Sequence, residues 1–144
     1  MRIDVRYITA WLLLWVLPLP VSAADLQVTG AWARPTPPTA NVGAVYFSIS
    51  NRGDKEDVLL GVSSEVAASV QIHESRLVQG VMQMREAPSV ACPAGSLVKV
   101  EPGGLHVMLV GLKQPLTAGM RFDLRLRFRD AGSLLIRVPV QNGP

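Results

Sequence analysis

Cysteine and histidine are scarce in this chain, and the shortage excludes several kinds of protein at once. Among 144 residues there is one cysteine, Cys92, and there are two histidines. A single cysteine excludes an intramolecular disulfide, so the fold cannot depend on one. No Ser-His-Asp or Cys-His pairing and no glycine-rich phosphate-binding loop can be read from the sequence, so we do not expect an enzyme.

Charged residues are also few, and they are dispersed. They make up 17% of the chain, and the formal net charge is +3. Lysine and arginine form no basic tract, which is atypical of proteins that bind nucleic acid. We therefore expect no nucleic-acid partner.

The longest apolar run lies at the N-terminus. Arg2 and Arg6 precede 13 almost wholly apolar residues, Tyr7 to Leu19, and the small residues of Val21-Ser22-Ala23 follow. This order is typical of a secretory signal peptide, whereas a membrane-spanning helix needs about 20 apolar residues. We predict that residues 1–24 are a cleaved signal rather than a membrane anchor. Residues 25–144 are predicted to form one exported domain without a membrane span.

The exported part of the chain shows the pattern of short β-strands. Apolar and polar residues alternate from Met120 to Arg129, and a second alternating run follows the turn at 130–132. Alternation with a period of two predicts a C-terminal hairpin of half-buried strands. Further strands are predicted at 42–50, 57–62, 67–74, 81–86, 96–100 and 105–110. Seven to nine short strands predict an all-β sandwich or a small Greek-key barrel.

Two segments between these strands are distinctive. Pro35-Thr36-Pro37-Pro38 is poor in backbone donors, so we expect it to cross between sheets. Cys92 lies in a turn-like Ala-Cys-Pro-Ala-Gly stretch. A lone exported cysteine could be a free thiol, half of an intermolecular bridge, a metal ligand or a small buried hydrophobe. A packed thiol is the favoured interpretation.

Both histidines stand in a fixed relation to a methionine. The order is His73, ten residues, Met84, twenty-one residues, then His106-Val107-Met108. Two imidazoles and two thioethers form a donor set that suits Cu(I) and is poor for Zn(II), Mg(II) or Ca(II). Strand periodicity places His73 on the polar face of its strand and puts His106 and Met108 together on one face.

Methionine also has a simpler interpretation. In a β protein it usually fills gaps in the core, and Met120, on the apolar face of its strand, is assigned there. Met82 shares a face with Met84 and is either an outer-shell contact or an alternative sulfur donor. The complete constellation of two histidines and two methionines nevertheless favours a metal site.

The spacing and its surroundings resemble the periplasmic copper chaperone family known as PCu(A)C. The family's signature is His, about ten residues, Met, about twenty-one residues, then His-x-Met, and all four positions match. The resemblance spans about residues 25–140. Its flanking segments are Ala31-Trp32-Ala33-Arg34-Pro35, Gly43-Ala44-Val45-Tyr46, Gly80-Val81-Met82-Gln83-Met84-Arg85, Pro102-Gly103-Gly104-Leu105-His106-Val107-Met108-Leu109 and Gly111-Leu112-Lys113-Gln114-Pro115-Leu116.

The resemblance implies a cupredoxin-like Greek-key β-sandwich that binds one copper(I) through His73, Met84, His106 and Met108. It also implies delivery of the metal to the binuclear copper centre of a haem-copper (cytochrome c) oxidase, in a route shared with Sco-type copper and thiol proteins. We expect a periplasmic monomer. Some members of the family carry a C-terminal extension rich in histidine and methionine. Neither residue type follows Met120 here, so a second copper site is not expected there.

Two other functions remain open at this point. One is a cupredoxin-like electron-transfer protein, but a blue-copper site needs a cysteine thiolate beside two histidines. Cys92 lies 14 residues before His106 and has no ligand motif around it. The other is a β-sandwich that binds no metal, in which the spacing of histidine and methionine is coincidental.

Overall fold

A computed structural model describes residues 25–144, and the predicted signal, residues 1–24, lies outside the described residues. All ten described elements are strands, and no helix in this part of the chain has the length and apolar character needed to cross a membrane. The strands are β1 (Leu26–Ala33), β2 (Val42–Asn51), β3 (Asp57–Ser63), β4 (Ala67–Val78), β5 (Val81–Glu86), β6 (Val90–Cys92), β7 (Leu97–Val100), β8 (Leu105–Leu112), β9 (Arg121–Phe128) and β10 (Ser133–Pro139).

The strands form two sheets around one apolar core. The larger sheet has the order β1-β2-β7-β8-β4-β5, and the smaller sheet has the order β10-β9-β3-β6. Both sheets contribute to the same cluster of buried side chains, which includes Ile49 and Leu109 from the larger sheet and Leu59 and Leu124 from the smaller one. The predicted all-β sandwich is therefore confirmed.

Strand β9 illustrates how the sequence pattern produces this core. Its apolar residues are buried and the charged residues between them are exposed. β10 pairs antiparallel with β9 from Ser133 opposite Arg127 onward, so the predicted C-terminal hairpin is confirmed. Met120, just before β9, packs partly buried against the core, as predicted.

A long hairpin of β4 and β5 forms one margin of the larger sheet. β4 continues to Val78, beyond its predicted end at Glu74, while β5 has its predicted bounds. The two turn residues, Gln79 and Gly80, have φ values of 50° and 78°. A two-residue turn with positive φ at both positions matches the twist of the flanking strands. The turn therefore lets all of β5 pair with the second half of β4, from His73 to Val78.

Residues 25–144 contain ten strands, more than the predicted seven to nine, because two of them lack a clear sequence pattern. β1 contains a register shift between Thr29 and Trp32, which interrupts its alternation. β6 has only three residues and ends at Cys92, inside the stretch predicted as a turn. The expectation for residues 35–38 is also wrong, since they join β1 to β2, which are neighbours in one sheet.

A buried carboxylate joins the β9–β10 turn to the start of β3. Asp57 accepts hydrogen bonds from the backbone N–H groups of Val58, Asp130 and Ala131, at 2.7, 2.9 and 2.9 Å. Burial raises the pKa of this carboxyl, but these donors and the nearby Arg129 lower it by more, so the pKa lies below its ordinary value. Asp57 therefore stabilises the turn in its ionised form.

Candidate metal centre

The pairing of β4 with both of its neighbours brings the histidines together. β4 lies between β8 and β5 in the larger sheet. His73 is directly opposite His106 of β8 on one side and directly opposite Glu86 of β5 on the other. Residues directly opposite each other in antiparallel strands project from the same face. The two imidazoles therefore share one face of the sheet.

The two methionines lie on either side of the His73–His106 pair along the direction of β4. Met84 is opposite Ser75, two residues after His73. Met108 is opposite Gln71, two residues before His73. Because alternate residues of a strand share a face, both methionines project from the same face as the histidines. The register thus places all four predicted ligands on one surface.

That surface is the outer face of the larger sheet, and its donors differ in exposure. His106 is only 7% exposed, whereas Met84 is 54% exposed. His73 and Met108 are half-buried. The donors therefore range from a shielded imidazole to an open thioether. The residues next to these donors in β4 and β8 point to the opposite, inner face of the sheet and belong to the core: Ile72, Val107 and Leu109.

The two imidazole rings are close enough to share one ion. Their centroids are 5.8 Å apart, and their planes are inclined by 52°. With metal–nitrogen bonds of about 2 Å, an ion bound to both rings would hold the centroids about 5 to 6 Å apart. The observed separation fits a single shared ion.

Each ring has one nitrogen engaged and one remaining. Nδ1 of His106 donates to the carbonyl oxygen of Gly104 at 3.1 Å, which leaves the lone pair on Nε2. Nε2 of His73 lies 2.9 Å from Oε1 of Gln71. Nδ1 of His73 is buried and has no hydrogen-bond partner among the described residues. An unpaired buried polar atom requires an explanation, and a bound metal ion would provide one.

Carboxylates and the thiol do not form an alternative site. Within residues 25–144, no group of three or more His, Cys, Asp or Glu has an arrangement that could hold a metal. Cys92 is fully buried in the core, and burial raises the pKa of its thiol. The packed-thiol interpretation is confirmed. Thioethers are thus the soft donors that lie beside the imidazoles on the outer face of the larger sheet.

The methionines of β5 are not core residues. Met82 and Met84 project from the outer face of the larger sheet, which carries the histidines and is called the ligand face below. They are 58% and 54% exposed. The usual interpretation of methionine as core filler is therefore wrong for both. Leu77, directly opposite Met82, is 69% exposed. The hairpin consequently presents an apolar surface beside the candidate site.

An aromatic pair borders the same face on the opposite side. Tyr46 lies two residues after Ala44, which is opposite Met108, so these three side chains share a face. Trp32 is opposite Tyr46, with ring centroids 5.0 Å apart. Both rings are buried, so this side of the site is packed, in contrast to the open side at β5.

Two residues that contact the imidazole rings were not predicted from the sequence. Gln71 and Gly104 each contact one ring nitrogen, and neither was identified from the spacing. Gln71 was detectable, because it lies two residues before His73 and strand parity puts both on one face. Gly104 was not detectable, because a backbone carbonyl contact depends on the path of the chain before β8.

Known proteins resemble this chain in sequence and in fold. The family model described as LpqE-like matches residues 26–140. The chain belongs to the LpqE-like family. This LpqE-like chain is 37% identical over 121 residues to a Leifsonia xyli subsp. xyli protein named "Putative lipoprotein Lxx21020", with 83% of this chain and 72% of that protein covered.

Solved structures resemble this LpqE-like domain as well. The copper-bound PCuAC domain from PmoF2 has a TM-score of 0.70 and 26% identity, with 85% of this chain and 97% of that chain covered. The copper(I) form of DR1885 from Deinococcus radiodurans has a TM-score of 0.67 and 28% identity, with 85% and 82% covered. The resemblance to PCu(A)C proteins and the cupredoxin-like sandwich are confirmed. None of these names describes an enzyme.

Proposed function

We propose that this LpqE-like protein is a metallochaperone that carries one copper(I) bound by His73, Met84, His106 and Met108. The observation that carries the proposal is the strand register, which brings these residues to one face. The imidazole separation of 5.8 Å and the unpaired Nδ1 of His73 support a shared ion. The similarity to domains whose structures hold copper supports the choice of metal.

The donor chemistry favours Cu(I) and reversible carriage. Thioether sulfur suits Cu(I) and is a poor ligand for Zn(II), Mg(II) or Ca(II). Thioethers are neutral and do not form disulfides, so these donors survive in an oxidising compartment. Thiolates are stronger soft donors than thioethers. A thiolate acceptor can therefore take the ion from this set.

An electron-transfer function fits the geometry less well. A blue-copper site combines a cysteine thiolate with two histidines. Cys92 is fully buried on β6 of the smaller sheet, whereas the histidines lie on the outer face of the larger sheet. We therefore infer a carrier. A sandwich that binds no metal would leave the convergence of both histidines and both methionines without an explanation.

We further propose a periplasmic location and a receiving partner. The predicted signal in residues 1–24 supports export, and the resemblance to PCu(A)C proteins suggests the binuclear copper centre of a haem-copper (cytochrome c) oxidase as the destination. Sco-type copper and thiol proteins are the proposed companions in that route. The half-exposed Met84 would give such an acceptor direct access to the ion.

Anaerobic competition with a chromogenic Cu(I) chelator tests the site. We expect the purified protein to hold one copper(I) tightly, and the His106→Ala/Met108→Leu double variant to lose it. Met120→Leu removes a thioether from outside the ligand face and should change nothing. Copper retained by the double variant, or no copper in the parent, would contradict the proposed site.

Delivery needs a separate experiment. The loaded protein is mixed with the copper-receiving domain of a cytochrome c oxidase, and the copper content of both is followed after separation. We expect faster loading than with an equal amount of Cu(I) supplied on the chelator alone. Equal rates would argue against a delivery role while leaving copper binding intact. Fractionation of cells that express the full chain tests the periplasmic location.

A further inference from the structure

We propose that Gln71 is a positioning residue that fixes the tautomer of His73, so that copper is bound through Nδ1 of His73 and Nε2 of His106. This inference rests on the proposed copper site and identifies the atoms that would form it. Gln71 lies two residues before His73 on β4 and shares its face, with Oε1 at 2.9 Å from Nε2. Nothing in the His-Met spacing itself selects one ring nitrogen over the other.

The contact determines where the proton lies. A carboxamide oxygen only accepts hydrogen bonds, and a neutral imidazole has one donor nitrogen and one acceptor nitrogen. The contact with Gln71 therefore places the proton of His73 on Nε2 and the lone pair on Nδ1. Nδ1 is also the buried atom with no hydrogen-bond partner among the described residues. The nitrogen left free by Gln71 is thus the same nitrogen that lacks a partner within residues 25–144.

The reversed amide of Gln71 would produce the opposite result. An NH₂ group facing Nε2 would require a lone pair there and a proton on Nδ1. That N–H would be buried with no acceptor, which costs about 1–3 kcal/mol, and it could not bind a metal until it was deprotonated. The observed orientation avoids both consequences.

His106 is held in the other tautomer by a backbone group. Its Nδ1 donates to the carbonyl oxygen of Gly104, and the same oxygen accepts the backbone N–H of Ser75 at 3.1 Å. Because the Gly104 carbonyl is anchored to β4, this tautomer does not depend on a side chain. The His73 tautomer does depend on one, so Gln71 is the position at which the arrangement can be tested.

Loss of Gln71 should weaken copper binding without removing a ligand. Metal-binding histidines usually donate their second ring N–H to an acceptor, and loss of that acceptor typically lowers metal affinity about 10- to 100-fold. Gln71→Leu should therefore lower Cu(I) affinity by about this factor. Gln71→Glu retains an acceptor oxygen and should restore most of the affinity. Gln83→Leu, on β5 and on the opposite face from Met84, is the matched control and should have no effect.

Ring nitrogens of the metal-free protein report the tautomer directly. In long-range proton–nitrogen NMR spectra we expect the proton on Nε2 in His73 and on Nδ1 in His106. Gln71→Leu should convert His73 into a mixture of tautomers and leave His106 unchanged, and the unchanged His106 signals also show that the variant folds. Gln71→Glu should restore the pattern of the parent.

The outcomes separate this inference from the proposed function. A parent that binds copper but carries the His73 proton on Nδ1 would overturn the inference alone. So would a Gln71→Leu variant with the same tautomer and the same affinity as the parent. A parent that binds no copper would overturn the metal-binding role of both nitrogens together with the proposed function. In that case the spectra would still decide whether Gln71 fixes the tautomer.

Discussion

Strands β8 and β5 both contribute donors to the candidate metal centre, but they lie in opposite environments. β8 is inside the larger sheet and pairs with β4 and β2. Its core-facing residues Val107 and Leu109 are fully buried. β5 is at the edge of the sheet, next to β4, and all six of its residues are exposed.

This difference divides the site into a rigid part and an open part. His106 and Met108 project from a strand whose other face is packed into the core, so binding a metal orders them little further. Met84 is half-exposed, and fixing a methionine side chain costs up to about 1.5–2 kcal/mol in rotamer entropy. A carrier with the proposed site would gain from both, because rigid donors would retain the ion and an open donor could exchange with an acceptor.

The largest difference between the two strands should appear in stability. Leu109→Ala in β8 removes a fully buried side chain and should lower the free energy of unfolding by about 2–5 kcal/mol. Val81→Ala in β5, where the side chain is 62% exposed, should change it by less than about 0.5 kcal/mol. Urea denaturation of the metal-free protein measures both. Similar losses in the two variants would remove the contrast between the strands.

The next difference concerns copper affinity. Met108→Leu and Met84→Leu each replace a thioether with a side chain of similar volume. We expect both variants to bind Cu(I) more weakly. The loss of affinity should be about tenfold greater for Met108→Leu, because ordering the exposed Met84 side chain costs rotamer entropy and so reduces what its copper–sulfur bond contributes. Chelator competition under anaerobic conditions measures the ratio. A greater loss at Met84 would show that the edge strand, not β8, holds the ion.

Replacing a glycine near each strand with alanine should lower stability by different amounts. Gly80, in the turn before β5, and Gly111, in β8, both have positive φ, at 78° and 71°. An added Cβ at Gly80 has no atom within 4 Å, but one at Gly111 would lie 2.8 Å from Cβ of Ala68. Gly80→Ala should therefore cost only the backbone strain of about 1–2 kcal/mol. Gly111→Ala should cost about 1–3 kcal/mol more, because the neighbour must move. Thermal unfolding of the two variants tests the order, and equal costs would contradict the predicted clash.

Adding and removing copper should affect the two strands unequally. In the metal-free protein the amides of β5 should exchange with solvent faster than those of β8, because β5 is exposed and at an edge. Loading with Cu(I) should slow exchange in β5 more than in β8, and a Cu(I) chelator should reverse the change. Hydrogen exchange followed by NMR measures this. Equal protection of both strands would indicate that Met84 is not a ligand.

Acid should destabilise the whole fold and not one of the two strands, because it protonates the Asp57 carboxylate. The pKa of Asp57 is lowered in the folded state, so its ionised carboxylate contributes stability above the ordinary pKa of about 3.9. That contribution is lost as the pH falls through the lower pKa of the folded state. Asp57→Asn should reduce stability at neutral pH and flatten its dependence on pH below about 4. Urea unfolding at several pH values tests this, and an unchanged slope would exclude Asp57 as a source of acid sensitivity.

Most of the fold could be predicted because successive side chains of a strand point to opposite faces, so apolar and polar residues alternate along the sequence of a half-buried strand. The C-terminal hairpin was predicted for this reason, and in β9 every second residue is apolar and buried, as the alternation predicts. β1 and β6 were not, because a register shift breaks the first and the second has only three residues. The extension of β4 to Val78 was missed as well, because the exposed hairpin tip has apolar residues on both faces and no alternation to read.

The composition and spacing of the chain were enough to predict the candidate donor set. Two histidines and two methionines in this spacing, together with a single cysteine without a ligand motif, predict soft metal binding without a thiolate, provided that the four side chains converge. The tertiary structure alone decided which of these donors is shielded and which is open, because exposure depends on whether a strand lies inside the sheet or at its edge. It also decided which ring nitrogen remains free, because that depends on the contacts of Gln71 and Gly104. Each contact joins residues two apart in the chain, but which ring nitrogen is engaged depends on the side-chain orientation of Gln71 and on the path of the backbone before β8, and local sequence patterns encode neither.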